Sequence, residues 1–168
     1  RQSERGELYA RHAQALLGSG RAYRCFCAPE RLEALREQQT AARQRIAYDR
    51  TCVGIAREEA EQRAAAGERC VVRFRVPQGE TRFVDHVRGA VTFANAEVDD
   101  WIMVRTNGAP TYNFTVVCDD SDMEITHVLR GEEHLTNTPK QVLLFEALDL
   151  QPPAYVHLPL MLGQDKKK

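Results

Sequence analysis

The chain has 168 residues, a length typical of one ordinary domain or of two small ones that share an interface. Hydrophobic residues make up 43% and charged residues 28%, which excludes a disordered tail or a fibrous repeat. The 24 acidic residues nearly balance the 23 basic ones, so a nucleic-acid contact requires a local patch. No apolar stretch approaches the roughly 20 residues that cross a bilayer.

The two ends of the sequence suggest a segment of a longer protein. Position 1 is Arg1 rather than Met, and the sequence ends at Lys168 directly after a basic run. Residues 1–11 are highly charged and are not followed by the apolar region of a signal peptide. We therefore expect an internal segment of a cytoplasmic protein with no membrane association.

The N-terminal half carries the pattern of three helices around one short strand. Leu8, His12 and Leu16 recur at helical spacing before a glycine-rich stop. Pro29 suits the first turn of a second helix, and an early glutamate favours the same start. The predicted elements are a helix over 3–17, a strand over 22–27, a helix over 29–43 and a charged helix over 57–66.

From Cys70 onward the pattern changes to strands and then to a strand, a helix and a strand. Asn107-Gly108 is a strong hairpin signal, and we expect extended chain on both sides of it as far as Tyr112. Thr138-Pro139 predicts a helix start. The elements over 124–162 therefore predict a βαβ unit in a parallel sheet. The predicted strands lie at 70–76, 81–87, 90–94, 101–105, 124–129 and 155–162.

The five cysteines favour metal binding or packing over disulfides, because their number is odd and nothing indicates secretion. Cys25 and Cys27 lie one residue apart on a predicted strand, so both sulfurs face the same side. Tyr48 and Cys52 follow in a Tyr-x-x-x-Cys arrangement. Zinc prefers four ligands and takes thiolates readily. The fourth ligand is open between Tyr48, a water molecule and another residue, and the alternative is a set of small buried hydrophobic residues. The cysteines interpreted as core residues are Cys70 and Cys118.

An arginine stands at the edge of the predicted parallel sheet where ligands usually bind. Arg130 lies between a strand predicted to end at Leu129 and the helix that begins near Thr138. Its guanidinium can pair with a carboxylate in a bidentate fashion. The alternative interpretation of this segment is a charged surface turn.

Two further charged stretches permit more than one interpretation. Residues 119–122 are rich in aspartate and suit a metal site, although we expect a solvated acidic turn. Residues 163–168 suit a phosphate-binding loop or a polar tail. Neither a G-x-G-x-x-G nor a G-x-x-x-x-G-K-[ST] sequence is present, so no standard nucleotide motif supports ATP binding.

Several blocks, in order along essentially the whole chain, resemble bacterial glutamyl-tRNA synthetases. The blocks include Ala22 to Cys27 and the sequence around Tyr112. Another contains Arg130, Glu133 and His134. The matching blocks lie at 1–5 with Tyr9, and at 22–27, 31–36, 108–114, 125–134, 137–141 and 162–168.

The resemblance implies an α/β fold, namely part of a class I Rossmann-type catalytic domain with an inserted α+β acceptor-binding domain, the connective peptide. Residues 1–20 would end the first Rossmann half, and residues 21–100 would form the inserted domain with the zinc site. Residues 101–168 would form the second half up to the start of the KLSKR loop.

The resemblance also implies an activity and a set of site residues. Glutamate would be activated with ATP and Mg²⁺ to an adenylate and transferred to tRNA(Glu) by a protein that is usually a monomer. Arg130 and Tyr112 match residues that bind glutamate, and Glu133 and His134 match positions that face ATP and the adenylate. Lys168 would be the first residue of the KLSKR signature, which stabilises the phosphates.

The family's zinc pattern is only partly matched. Its usual fourth ligand lies two residues after the third cysteine, where this chain has Gly54. A relative, the glutamyl-queuosine tRNA(Asp) synthetase, uses Tyr-x-x-x-Cys, which Tyr48 and Cys52 match. The zinc ligands implied by the resemblance are Cys25, Cys27, Tyr48 and Cys52.

Two alternatives to the ligase interpretation stay open. The HIGH-like motif, the rest of KLSKR and an anticodon-binding region are missing, so we expect the chain alone to be catalytically inactive. One alternative is the glutamyl-queuosine paralogue, which modifies a tRNA base. The other is a non-catalytic, zinc-stabilised module that binds tRNA phosphates through arginines. Those arginines are Arg31, Arg36, Arg43 and Arg45.

Overall fold

The computed structural model describes residues 1–159, and these form two compact units. The first unit comprises Arg1–Pro77 and Asp99–Thr111, and the second comprises Gln78–Val98 and residues 112–159. None of the helices in the described residues is both long and apolar enough to cross a membrane. The predicted division at residues 20 and 100 concerns the parent protein and stays a prediction.

The first unit combines three helices with an antiparallel sheet. The sheet has the strand order β1-β2-β5, in which Ala22 pairs with Phe74 and Val72 pairs with Val104. Phe74 is buried and stacks on Trp101, with ring centroids 4.6 Å apart. The elements are α1 (Gly6–Gly18), β1 (Ala22–Cys25), α2 (Pro29–Ala41), α3 (Arg57–Ala65), β2 (Val71–Phe74) and β5 (Ile102–Val104).

The second unit is built on a four-stranded mixed sheet with the order β4-β3-β7-β6. Strands β3 and β4 form an antiparallel hairpin, whereas β7 is parallel to both β3 and β6. The elements are β3 (Glu80–Asp85), β4 (Gly89–Ala94), α4 (Tyr112–Asp122), β6 (His127–Gly131), α5 (Thr138–Ala147) and β7 (Ala154–Leu158).

The predicted βαβ unit is confirmed. Helix α5 connects the parallel strands β6 and β7. Pro139 lies in the first turn of α5, where its missing N–H removes no helical hydrogen bond. Leu144 and Phe145 are buried, so this face of α5 packs against the core of the unit. Residues 160–162 of the predicted last strand lie outside the described residues.

The chain after the Asn107-Gly108 turn differs from the prediction. The hairpin itself forms, since the backbone N–H of Arg105 donates to the carbonyl of Ala109 and that of Thr111 donates to the carbonyl of Met103, but Tyr112 begins α4 instead of an extended segment. The predicted acidic turn at 119–122 is wrong, because these residues form the C-terminal part of α4. Phe114 and Val117 are fully buried, and their packing outweighs the turn propensity of the aspartates.

Candidate functional site

Arg130 lies inside strand β6, not in the loop after it, because β6 extends to Gly131 instead of ending at Leu129. Its backbone partner across the parallel pair is His157 of β7. The pairing of the two parallel strands therefore places the Cα atoms of Arg130 and His157 side by side. Arg130 lies near the carboxyl end of β6, which is the edge of the sheet predicted to bind a ligand.

Two hydrogen bonds orient the guanidinium of Arg130. The Nε atom donates to Nε2 of His157 at 3.0 Å, and Nη2 donates to the hydroxyl of Thr138 at 2.8 Å. The guanidinium carbon lies 5.5 Å from the ring centroid of Tyr155. Within residues 1–159 the Nη1 atom makes no protein hydrogen bond, so the edge formed by Nη1 and Nη2 stays available for a carboxylate.

The charge of Arg130 is not neutralised by a close ion pair with any residue between 1 and 159. Asp120 lies near enough to respond to this charge: burial raises the pKa of its carboxyl, and Arg130 opposes that rise. The same two effects act on the hydroxyl of Tyr155, whose pKa is raised mainly by burial. A half-buried cation without a salt-bridge partner favours an anionic ligand.

Within residues 1–159 the other predicted substrate residues make no hydrogen bond to the side chain of Arg130. Tyr112 is the first residue of α4 and is 54% exposed. Glu133 and His134 share a 3-10 turn, Glu132–Asn137, which directly follows β6. Glu133 is exposed and His134 is half-buried. Lys168 lies outside the described residues.

Thr138, His157 and Asp85 contact or support Arg130, and sequence reasoning did not identify them as site residues. The side chains of His157 on β7 and Asp85 on β3 are fully buried. The sequence offers one signal for His157, because it lies two residues after Tyr155 and therefore on the same buried face of the strand. A buried imidazole needs a hydrogen-bond partner, so a histidine at such a position indicates a polar neighbour in the core.

The four predicted zinc ligands converge in the first unit. The Sγ atoms of Cys25, Cys27 and Cys52 lie within 4.8 Å of one another. The hydroxyl oxygen of Tyr48 lies 3.3 Å from Sγ of Cys25 and 3.4 Å from Sγ of Cys27. Tetrahedral zinc with Zn–S bonds of about 2.3 Å places two sulfurs about 3.8 Å apart, which this cluster nearly matches.

Two segments of the chain supply these donors. Cys25 ends β1 and Cys27 follows it, so the one-residue spacing turns both sulfurs to one side. Cys52 lies in a 3-10 turn, Thr51–Gly54, and its backbone N–H donates to the hydroxyl of Tyr48 at 3.1 Å. Cys25, Cys52 and Tyr48 are buried, and Cys27 is half-buried.

Two arginines surround the cluster with positive charge. The guanidinium of Arg73 lies 4.1 Å from the ring centroid of Tyr48, and Nη1 of Arg31 lies 3.4 Å from Sγ of Cys27. Burial raises the pKa of the Cys25 thiol, but its contact with the Tyr48 hydroxyl, a hydrogen bond with the backbone of Cys27 and the cation of Arg73 outweigh burial and lower the pKa. Burial raises the pKa of the Cys27 thiol to about 11. Cationic neighbours stabilise thiolates, which are the metal-binding form.

This donor set can hold a metal ion. Three thiols and one phenol supply four ligand atoms, and thiolates favour zinc over magnesium or calcium. The remaining cysteines lie outside the cluster. Cys118 is fully buried as predicted for a core residue, whereas Cys70 is only half-buried.

The comparisons with known proteins match the whole chain. The family described as class I tRNA synthetases (E and Q), catalytic domain, matches residues 1–168. Glutamate–tRNA ligase 1 of Alkalilimnicola ehrlichii is 51% identical over 168 residues, and glutamate–tRNA ligase 2 of Koribacter versatilis is 48% identical over 168 residues. Each alignment covers 99% of this chain and 35% of the relative, so the chain spans about a third of their length.

Solved structures agree with the sequence relatives. A glutamate tRNA ligase from Elizabethkingia meningosepticum, in complex with its amino acid, has a TM-score of 0.89 and 34% identity. The match covers 96% of this chain and 34% of that one. These findings confirm the predicted family and the predicted α/β fold class. The chain belongs to the catalytic-domain family of the class I glutamyl- and glutaminyl-tRNA synthetases.

Proposed function

We propose that this chain is the part of a glutamate–tRNA ligase that recognises glutamate and carries a structural zinc site. The observation that carries the proposal is the position of Arg130 near the end of a parallel strand, where its Nη1 atom makes no protein hydrogen bond within residues 1–159. The names of the relatives and their identity of about half over the whole chain support the same activity.

In the proposed reaction the α-carboxylate of glutamate attacks the α-phosphate of ATP, and pyrophosphate leaves. A hydroxyl of the terminal adenosine of tRNA(Glu) then attacks the carbonyl of the adenylate, and AMP leaves. Arg130 would bind the side-chain carboxylate of glutamate through Nη1 and Nη2. Glutamine would leave this cation unpaired in a half-buried site, which penalises its binding.

The resemblance extends the proposal to four further residues. Tyr112 would contact glutamate, and Glu133 and His134 would face ATP, which binds with Mg²⁺. Lys168 would stabilise charge on the phosphates. We propose a cytoplasmic location because the proposed substrate is a tRNA.

The proposal is tested with the full-length protein that contains this chain. We expect exchange of pyrophosphate into ATP that depends on glutamate and is much slower with glutamine. The isolated chain should show no exchange, because it contains neither the HIGH-like motif nor the complete KLSKR motif. Exchange by the full-length protein that does not depend on glutamate would contradict the proposal.

A zinc site is the second part of the proposal. Cys25, Cys27, Cys52 and Tyr48 would hold one ion, which would join β1 to the 48–54 segment. Zinc supplies no step of the ligase reaction here. Its proposed role is to stabilise the first unit, as structural zinc sites do.

One observation favours a second candidate, the glutamyl-queuosine tRNA(Asp) synthetase. The hydroxyl of Tyr48 lies against two cysteine sulfurs, and the paralogue has the same Tyr-x-x-x-Cys spacing. Transfer of glutamate distinguishes the two enzymes, since the ligase charges tRNA(Glu) and the paralogue modifies tRNA(Asp). A non-catalytic tRNA-binding module predicts salt-dependent tRNA binding without any glutamate activation.

A further inference from the structure

Asp85 and His157 form a buried pair in the second unit. They lie on the neighbouring parallel strands β3 and β7, and both side chains have no exposed area. Nδ1 of His157 lies 2.6 Å from Oδ2 of Asp85. Burying a carboxylate and an imidazole costs desolvation energy. The hydrogen bonds around this pair must offset that cost.

The carboxylate of Asp85 is held by hydrogen bonds on both oxygens. Oδ1 accepts from the backbone N–H groups of Val87 and Arg88 at 2.9 and 3.0 Å. Oδ2 accepts from the backbone N–H of His157 at 3.1 Å as well as from Nδ1. Burial raises the pKa of Asp85, but the hydrogen bonds from His157, Arg88 and Val87 outweigh it and lower the pKa. The carboxylate is therefore a fixed negative charge at neutral pH.

The surroundings of His157 determine which ring nitrogen carries its proton. Nε2 lies 3.0 Å from Nε of Arg130 and 3.1 Å from the hydroxyl of Thr138. Arginine is always protonated and only donates, so Nε2 must accept. Nδ1 then carries the proton and donates it to Asp85. A doubly protonated ring would set its Nε2–H against the Nε–H of Arg130 and place two positive charges side by side.

We propose that Asp85 and His157 are positioning residues that hold the guanidinium of Arg130 with its Nη1 and Nη2 edge turned toward the bound carboxylate. The role rests on the proposed function of Arg130 in binding glutamate. Asp85 fixes the tautomer and the orientation of the imidazole. The imidazole fixes Nε of Arg130, and Thr138 fixes Nη2. Only the outer edge of the guanidinium is left for the ligand.

The tautomer is measured directly in the full-length protein labelled with ¹⁵N-histidine. The signal of His157 is assigned by its loss in a His157→Asn variant. We expect a protonated Nδ1 and an unprotonated Nε2 at neutral pH. A protonated Nε2, alone or together with Nδ1, would overturn the proposal, and this measurement needs no glutamate binding.

Asp85→Asn tests the chain of contacts. The amide nitrogen at position 85 would face Nδ1 and force the proton to Nε2, where it would oppose the Nε–H of Arg130. We expect the tautomer to change and the KM for glutamate to rise about 10- to 100-fold, more than kcat falls. Thr81→Val is the matched control, because it removes a buried hydrogen bond from the same strand, far along β3 from His157. It should leave the tautomer and KM unchanged.

Two substitutions of His157 separate its contacts. The shorter His157→Asn keeps an amide donor for Asp85 near the position of Nδ1, but it loses the acceptor for Arg130. The longer His157→Gln places its amide near the position of Nε2, where its oxygen can accept from Arg130. We expect His157→Gln to retain a lower KM for glutamate than His157→Asn, and equal KM values would overturn the role of the Nε2 contact.

The kinetic result also separates this proposal from the function it rests on. If Arg130→Ala raises the KM for glutamate and Asp85→Asn does not, the positioning role is overturned alone. If neither variant changes KM, glutamate recognition by Arg130 is overturned and the positioning role with it.

Discussion

The hydroxyl oxygen of Tyr48 accepts a hydrogen bond from the backbone N–H of Cys52, with the two atoms 3.1 Å apart. This contact closes a loop of five residues, 48–52, in which Arg50 adopts the left-handed conformation, with φ at 59°. The loop turns the phenol and the thiol toward the sulfurs of Cys25 and Cys27. Two of the proposed zinc donors therefore depend on the shape of one short segment.

Tyr48→Phe tests whether the phenol belongs to the metal site. The substitution removes one oxygen donor and leaves the N–H of Cys52 without its acceptor. We expect zinc to bind about 10-fold or more weakly, measured by competition with a chromophoric chelator. Tyr23→Phe is the control, because Tyr23 packs against the same cluster but donates its hydroxyl to Asp100. Unchanged zinc affinity in Tyr48→Phe would exclude the phenol as a ligand.

Metal analysis of the purified chain tests the site as a whole. We expect about one zinc per chain, lost in Cys25→Ser and Cys52→Ser, because a structural site needs all of its donors. Removal of zinc by a chelator should lower the melting temperature. Cys70→Ser is the control, since Cys70 lies outside the cluster and is only half-buried. A metal-free protein with an unchanged melting temperature would restore the packing interpretation of the cysteines.

The βαβ unit was predictable because its boundaries carry strong local signals. Thr138-Pro139 marks the start of α5, and Pro152-Pro153 precedes β7. Helix α4 was missed for the opposite reason. Its residues include Val116 and Val117, which favour strands, and four acidic or small residues that favour turns. Tertiary burial of one side of α4 decides its structure, and no local pattern reports that burial.

The residues of the candidate sites differ in the same way: some were predictable from residues close in sequence, and others depend on contacts between distant strands. The pairing of Cys25 with Cys27 followed from strand alternation, and the spacing of Tyr48 and Cys52 matched a known pattern. Asp85 and His157 are 72 residues apart and meet only because β3 and β7 are neighbours in the sheet. Strand order is a property of the whole fold, so the sequence alone did not place these two residues at Arg130.

Arg130→Ala should severely impair glutamate activation. Removal of one partner of a largely desolvated charge pair costs about 2–5 kcal/mol in binding, and glutamate-dependent pyrophosphate exchange should fall accordingly. Arg130→Lys should not restore full activity, because an ammonium cannot reproduce the two parallel hydrogen bonds. Arg82→Ala is the control, since Arg82 is exposed on the same sheet and pairs with Glu80. Near-normal exchange in Arg130→Ala would remove this residue from the site.

Asp100 is predicted to be a major contributor to the stability of the first unit. Its buried carboxylate accepts from Nε and Nη2 of Arg50, from the hydroxyl of Tyr23 and from the backbone N–H of Val76. Asp100→Ala should lower the free energy of unfolding by about 2–4 kcal/mol, less than for a fully buried pair because the side chain of Arg50 is 43% exposed. Urea denaturation measures the change. The exposed pair of Arg57 and Glu61 supplies the control, and Glu61→Ala should have little effect.

The contribution of Asp85 to stability should depend on pH with a defined sign. Its pKa in the folded protein is lower than the value of about 3.9 expected for an unfolded chain. The unfolded state therefore binds the proton first, and the stabilisation is present above about pH 4 and lost as the pH falls through the folded pKa. Asp85→Asn should accordingly lower the free energy of unfolding at about pH 7 and lower it less at about pH 3. Urea denaturation of both proteins at the two pH values measures this difference.

The control is Glu80→Gln, on the same strand but in an exposed ion pair. It should change the free energy of unfolding by less than about 1 kcal/mol at either pH. An equal loss at both pH values in Asp85→Asn would mean that the carboxylate contributes through packing and not through its charge.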